Sequence, residues 1–173
     1  RYDVGAYENE HLQLLEVDER GLLRRSEVFA ADNVGDAVAR LYELYAARPA
    51  AAEERARAAA IARSGRAILH MGDLDRFAAA LAPDIQSVDH RNVGYGVLCG
   101  AADALASLRA LIDLAEEISW RAVDVLCLCP NALVLRTNTT GIDRAGGGVF
   151  ERETIALIAF DSDGLIARWE QFD

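Results

Sequence analysis

The chain has 173 residues, 52% of them apolar, and a formal net charge of −10. This allows one core-bearing domain plus a further fragment. The scattered acidic excess argues against a nucleic-acid face. No run approaches the ~20 apolar residues of a membrane span, and no secretory signal is visible.

Residues 7–18 and 22–29 alternate apolar and polar side chains around an acidic-Gly turn. That pattern predicts a β-hairpin, with Gly21 supplying a positive φ. Next, Val34, Val38, Leu41, Tyr42 and Tyr45 form a helical stripe, capped by Asp32 or Asn33. Residues 48–52 read as a linker, since Pro and Ala there offer little to pack. A long Ala/Arg helix over 53–71 buries Ile61, Ile68 and Leu69, with small Ala60 and Ser64 allowing close approach. Gly72 ends it. Asp73 caps a short helix, 74–81, with Leu74, Phe77 and Leu81 on one face. IQSVDHR reads as a first strand and NVGYGVLCG as a Gly-rich loop. Residues 101–115 are a third helix, with Leu105, Leu108, Leu111 and Ile112 inward. Long strands follow over 118–129, 132–142, 149–160 and 164–172. Helices followed by an antiparallel meander predict an α+β fold with helices against one face of a curved sheet.

The hairpin is written twice. Residues 7–30 and 150–173 align without a gap at an offset of 143, sharing Glu8/Glu151, Glu10/Glu153, Leu14/Leu157, Asp18/Asp161, Gly21/Gly164, Leu22/Leu165, Arg25/Arg168, Glu27/Glu170 and Phe29/Phe172. The offset is about one domain. The expected organisation is the remnant of a first repeat over 1–47, a linker over 48–52 and a complete domain over 53–173. Arg1 then reads as a processing or proteolytic boundary, or as following further residues. The apolar hairpin residues Leu12, Leu14, Leu22 and Val28 are expected to dock on the sheet of 118–172, in the same chain or a partner.

The helix break GDLDRFAAALAPDI, the strand end VDHR before a Gly-rich loop, the helix ADALASLRALIDL and the closing hairpin DSDGLIARWEQFD together resemble the nuclear transport factor 2-like superfamily, nearest its SnoaL-like, polyketide-cyclase-like branch. The resemblance covers residues 53–173. It implies a cone, with a curved sheet wrapped round a long helix and a mouth that holds a small apolar ligand. It also implies pairing through the sheet, as a homodimer or between tandem modules. The tandem arrangement is similar to paired modules at the C-terminal ends of large actinobacterial multidomain regulators. The superfamily includes isomerases, cyclases, dehydratases, epoxide hydrolases and non-catalytic members, so fold alone does not give function.

Several residues could carry chemistry. Asp89, His90 and Arg91 cluster where the first strand ends, and a carboxylate in an apolar pocket can serve as a general base. Alternation sends Asp89 and His90 to opposite faces; the other reading is an ion pair that anchors the loop. Tyr95 could donate a hydrogen bond over a pocket mouth. Trp120 and Trp169 could wall a cavity or pack in the core. Glu153 shares a strand face with Glu151, either as an acid–base pair or as solvated carboxylates bridged to arginine.

Cys99, Cys127 and Cys129 are expected to be reduced, small core residues of a cytoplasmic protein. No nucleophile motif, phosphate loop, dinucleotide fingerprint or metal-ligand cluster is present, so neither cofactor nor metal is expected. Two functions fit: a ligand-binding or assembly module of a larger regulator, or a cyclase- or isomerase-type enzyme using Asp89 or His90 on an apolar carbonyl substrate.

Overall fold

A computed structural model describes residues 10–48, 51–69 and 71–173. Tyr7–Asn9 of the hairpin, and residues 49–50 of the linker, lie outside the described residues. The elements are β1 (His11–Val17), β2 (Leu23–Ala30), α1 (Val34–Ala46), α2 (Ala52–Leu69), α3 (Leu74–Ala80), β3 (Leu81–Asp89), β4 (Val97–Cys99), α4 (Ala101–Leu114), β5 (Ala115–Cys129), β6 (Ala132–Asp143), β7 (Val149–Phe160) and β8 (Ile166–Phe172). A curved six-stranded sheet, in the order β4-β3-β8-β7-β6-β5, packs one face on the helices. Neighbouring strands run antiparallel except β3 and β8, which are parallel.

The core follows from the period-2 pattern of the long strands. Leu133 and Leu135 on β6, Ala156, Ile158 and Phe160 on β7, and Ile166 and Trp169 on β8 point inward. They meet Ile61 and Ile68 of α2 and Phe77 of α3. The Phe77 ring meets the Trp169 ring edge-on at 6.0 Å. Asp73 caps α3 by accepting a hydrogen bond from the Arg76 amide.

Helix α1 belongs to the same core. Val34, Val38, Ala39 and Tyr42 are buried, whereas Leu41 and Tyr45 of the predicted stripe are exposed. Gly35 permits this contact: a Cβ there would lie 2.8 Å from Leu69 Cδ2. The Tyr42 hydroxyl donates to the Cys129 carbonyl at 2.9 Å, and its ring meets Phe160 edge-on. Burial pushes that hydroxyl well above the usual tyrosine range, so it stays a donor. Tyr42→Phe is expected to destabilise the domain by about 1 kcal/mol, measured by urea unfolding.

Two expectations need correction. The three cysteines are exposed, not core. Cys127 pairs with Val134 and Cys129 with Ala132, on the face of β5 and β6 opposite the buried Leu133 and Leu135, and Cys127 Sγ lies 3.8 Å from Cys129 Sγ. The hydrogen bond from Cys127 pushes the Cys129 thiol up, away from thiolate chemistry. Within one chain the hairpin also docks differently: strands β1 and β2 form a sheet of their own and pack on α1. Arg40 of α1 donates to both carboxylate oxygens of Glu27.

Candidate functional site

Between α4 and the inner face of the sheet lies a cavity of about 750 Å³. Its deep end is apolar: Ile68, Phe77, Leu81, Ile85, Leu135 and Ile158. Helix α4 roofs it with Ala104, Leu108 and Leu111. None of α4's residues is fully buried, although Ala101, Ala104, Leu105 and Leu108 pack against the edge of the core.

The polar lining comes from cross-strand rows. Trp120, Thr139 and Arg152 are direct neighbours across β5, β6 and β7. Ala122, Thr137 and Thr154 form the next inward row, where the two threonine hydroxyls are 2.9 Å apart. Ser87 on β3 and Tyr95 in the Gly-rich loop share a hydrogen bond of 2.7 Å. Burial pushes the Tyr95 hydroxyl upward, so at neutral pH it is a neutral donor or acceptor. Arg152 and Arg121 at the lining make no ion pair or hydrogen bond with a described residue. Asp143 also lines the cavity, and its carboxylate accepts the Ala145 amide of its own turn.

Asp89 is buried but does not line the cavity. Its side chain is 0% exposed and that of Arg91 10%. Arg91 Nε donates to Oδ1 at 2.7 Å and Nη2 to Oδ2 at 2.6 Å, while the Arg91 and Tyr95 amides add bonds of 3.2 Å each. The guanidinium hydrogen bonds hold the carboxyl below the usual aspartate range, outweighing burial. A carboxylate with four donors is a poor base. Gly94 is tied to this clamp: a Cβ there would fall 2.3 Å from Asp89 Cγ.

His90 faces the other way. Its Nε2 lies 2.7 Å from Glu170 Oε2, and its ring stacks on Phe172 outside the cavity. Glu153 is likewise exposed, bonded to Arg136 at 2.8 Å, and does not line this cavity. The cavity thus unites four of the expected residues, Arg91, Tyr95, Trp120 and Trp169, and omits Asp89, His90 and Glu153. It adds Arg152, Ser87, Thr137 and Thr154, which the sequence reading passed over. The alternation that turns Glu151 and Glu153 outward could have identified Arg152 and Thr154 as inward.

No protein-family model matches the chain, and no curated protein matches it in sequence. Solved structures do. An NTF2-like protein from Burkholderia thailandensis is 20% identical, with a TM-score of 0.53 over 69% of this chain and 88% of that one. A protein of SnoaL-like polyketide-cyclase type from Mesorhizobium loti is 14% identical, with a TM-score of 0.53 over 66% and 96%. A Mycobacterium tuberculosis protein in complex with estradiol-17β-hemisuccinate is 14% identical, with a TM-score of 0.53 over 66% and 90%. At these identities the likeness is one of backbone architecture. On that likeness the chain has the NTF2-like fold.

Proposed function

We propose that the cone is a binding module for a small ligand with an apolar body and an acidic end group, and that it holds this ligand without transforming it. The observation that carries the reading is the cavity itself. It is apolar at depth, and its lining includes Arg152, a cation with no ion pair or hydrogen bond to a described residue, in a protein whose net charge is −10. A volume of about 750 Å³ suits a ligand of drug or steroid size. The hemisuccinate held by the M. tuberculosis protein combines an apolar body with a carboxylate, which is the class inferred here. The module would then sense its ligand on behalf of a larger regulatory protein.

The enzymatic alternative is less favoured. Asp89 is saturated by donors and His90 is outside, so neither lines the cavity. Tyr95 could steady an oxyanion, but the carboxylate that does line the cavity, Asp143, sits exposed in a turn and accepts the Ala145 amide.

Paired ligands test this. A long-chain or steroidal carboxylate should raise the melting temperature and bind by calorimetry, and its methyl ester should bind more weakly. Arg152→Ala should lower carboxylate affinity about 10- to 100-fold and leave the ester unchanged. Equal binding of acid and ester would remove the acidic-end inference. Turnover of any bound carbonyl compound would favour the enzyme.

A further inference from the structure

We infer that the N-terminal hairpin presents the interior face of a second cone, and that its occupant is the upstream part of that cone: a segment of this fold lacking its own closing hairpin. The inference is independent of what the intact cone binds.

The two hairpins agree pair for pair. Leu12 opposes Phe29 as Ile155 opposes Phe172; Leu14 opposes Glu27 as Leu157 opposes Glu170; Leu15 opposes Ser26 as Ile158 opposes Trp169. The register shifts at the same place in both, between Glu16 and Val17 and between Ala159 and Phe160. The turns match bond for bond. Asp18 Oδ1 accepts the amides of Arg20 and Leu22 at 2.9 Å, and Asp161 Oδ1 accepts those of Asp163 and Leu165 at 2.9 Å. Gly21 and Gly164 have φ of +76° and +77°.

The environment differs, and in one direction. In the intact cone, Ile158, Phe160 and Ile166 are buried in the core, and Gln171 lines the cavity. Their counterparts Leu15, Val17, Leu23 and Val28 are 55%, 53%, 61% and 64% exposed. The opposite face of the hairpin, Leu12, Leu14 and Phe29, is the half-buried one. Thus the hairpin has its outer face covered and its core face bare. An apolar core face left in water is costly and association-prone.

The topology selects the occupant. In the intact sheet, β7 is flanked by an antiparallel β6 and β8 by a parallel β3. The outer edges of β1 and β2 call for the same two partners. A second copy of the described chain offers neither, because its larger sheet ends in β4 and β5 and its smaller one presents only another β1 and β2, not strands equivalent to β6 and β3. Only a cone still missing its last hairpin has both edges open. Its cavity would differ from the one described. Ser26 stands where Trp169 does, and His11 where Thr154 does, so an aromatic wall gives way to a more polar lining.

The test combines the 173-residue chain with a fusion of residues 53–153 to residues 11–173, which rebuilds a closed repeat at the natural offset. In the 173-residue chain, Leu15→Asp with Val28→Asp should shift the melting temperature by less than about 2 °C, with no change in sedimentation. A large shift, or loss of a dimer, would mean that the face is already covered, and would overturn the inference. In the fusion, hairpin amides should exchange with deuterium about 100-fold more slowly, and the same Asp pair should abolish that protection while the second cone stays folded. A parallel fusion carrying Ser26→Trp restores the aromatic wall in case the cavity alone prevents folding. If the hairpin stays unprotected in both fusions, the inference fails.

Discussion

Replacing Arg91 with alanine is expected to destabilise the cone by about 3–5 kcal/mol at neutral pH, read from urea unfolding. The substitution removes two side-chain donors from a carboxylate that is 0% exposed. What remains is a buried charge with only two long backbone bonds. Removing both partners, Asp89→Asn with Arg91→Ala, should cost less than Arg91→Ala alone, because no charge is then stranded. The pH dependence has a definite sign. Arg91 depresses the folded-state pKa of Asp89 below its unfolded value of about 3.9. The stabilisation is therefore present in full above that unfolded value and is lost as pH falls through the lower folded one. In Arg91→Ala burial raises the carboxyl's folded-state pKa instead, so the gap between wild type and variant should begin to narrow above about pH 4, as the variant's carboxyl protonates, and close further as pH falls toward the lowered wild-type value. A loss under about 1 kcal/mol at pH 7 would show that the clamp does not hold the Gly-rich loop. The same clamp argues against Asp89 as a general base: a carboxylate held under four donors is tied to the Gly-rich loop.

The long strands were legible because period-2 alternation persists over many residues and one face must be buried. Ile158 and Leu135 inward, with Glu151 and Glu153 outward, need nothing beyond the pattern. The opposed faces of Asp89 and His90 follow from the same rule, and both lie as alternation requires. What escaped was set by chain geometry that no local pattern encodes. Strand β4 is three residues in a Gly-rich loop, recognisable only by its pairing with Gln86, Ser87 and Val88. The exposure of Cys127 and Cys129 depends on which face of β5 meets the core: they pair with Val134 and Ala132, while Leu128 between them pairs with the buried Leu133. The role of Arg91 was open until its guanidinium was seen to close on its neighbour two residues back. A sequence gives the type of a charged side chain; the fold decides which partner it finds.

Alanine at Gly164 and alanine at Gly21 make the second test, because the same turn stands in two surroundings. Both positions have φ near +77°, so each alanine pays the left-handed strain of about 1–2 kcal/mol. At Gly21 that is all, since a Cβ there meets nothing within 4 Å. At Gly164 the Cβ would lie 2.6 Å from Ala60 Cβ, 2.9 Å from the Ile61 amide nitrogen and 3.0 Å from the Arg57 carbonyl. These are atoms of helix α2, which is also tied to this turn by the 2.7 Å bond from Ser64 Oγ to the Gly164 carbonyl. A helix backbone cannot step aside as a flexible side chain would, so overpacking adds about 1–3 kcal/mol. Gly164→Ala is therefore expected to lower stability by about 2–5 kcal/mol in total and to loosen α2 from the sheet. Gly21→Ala should leave the melting temperature of the cone nearly unchanged and speed amide exchange only within the hairpin. Equal effects at the two sites would mean that helix contact adds nothing at Gly164. In the fusion that closes a second cone, Gly21 would come to face a copy of α2. There the mild substitution should become as damaging as its counterpart, because a turn that tolerates a methyl group in open water cannot tolerate it against a helix.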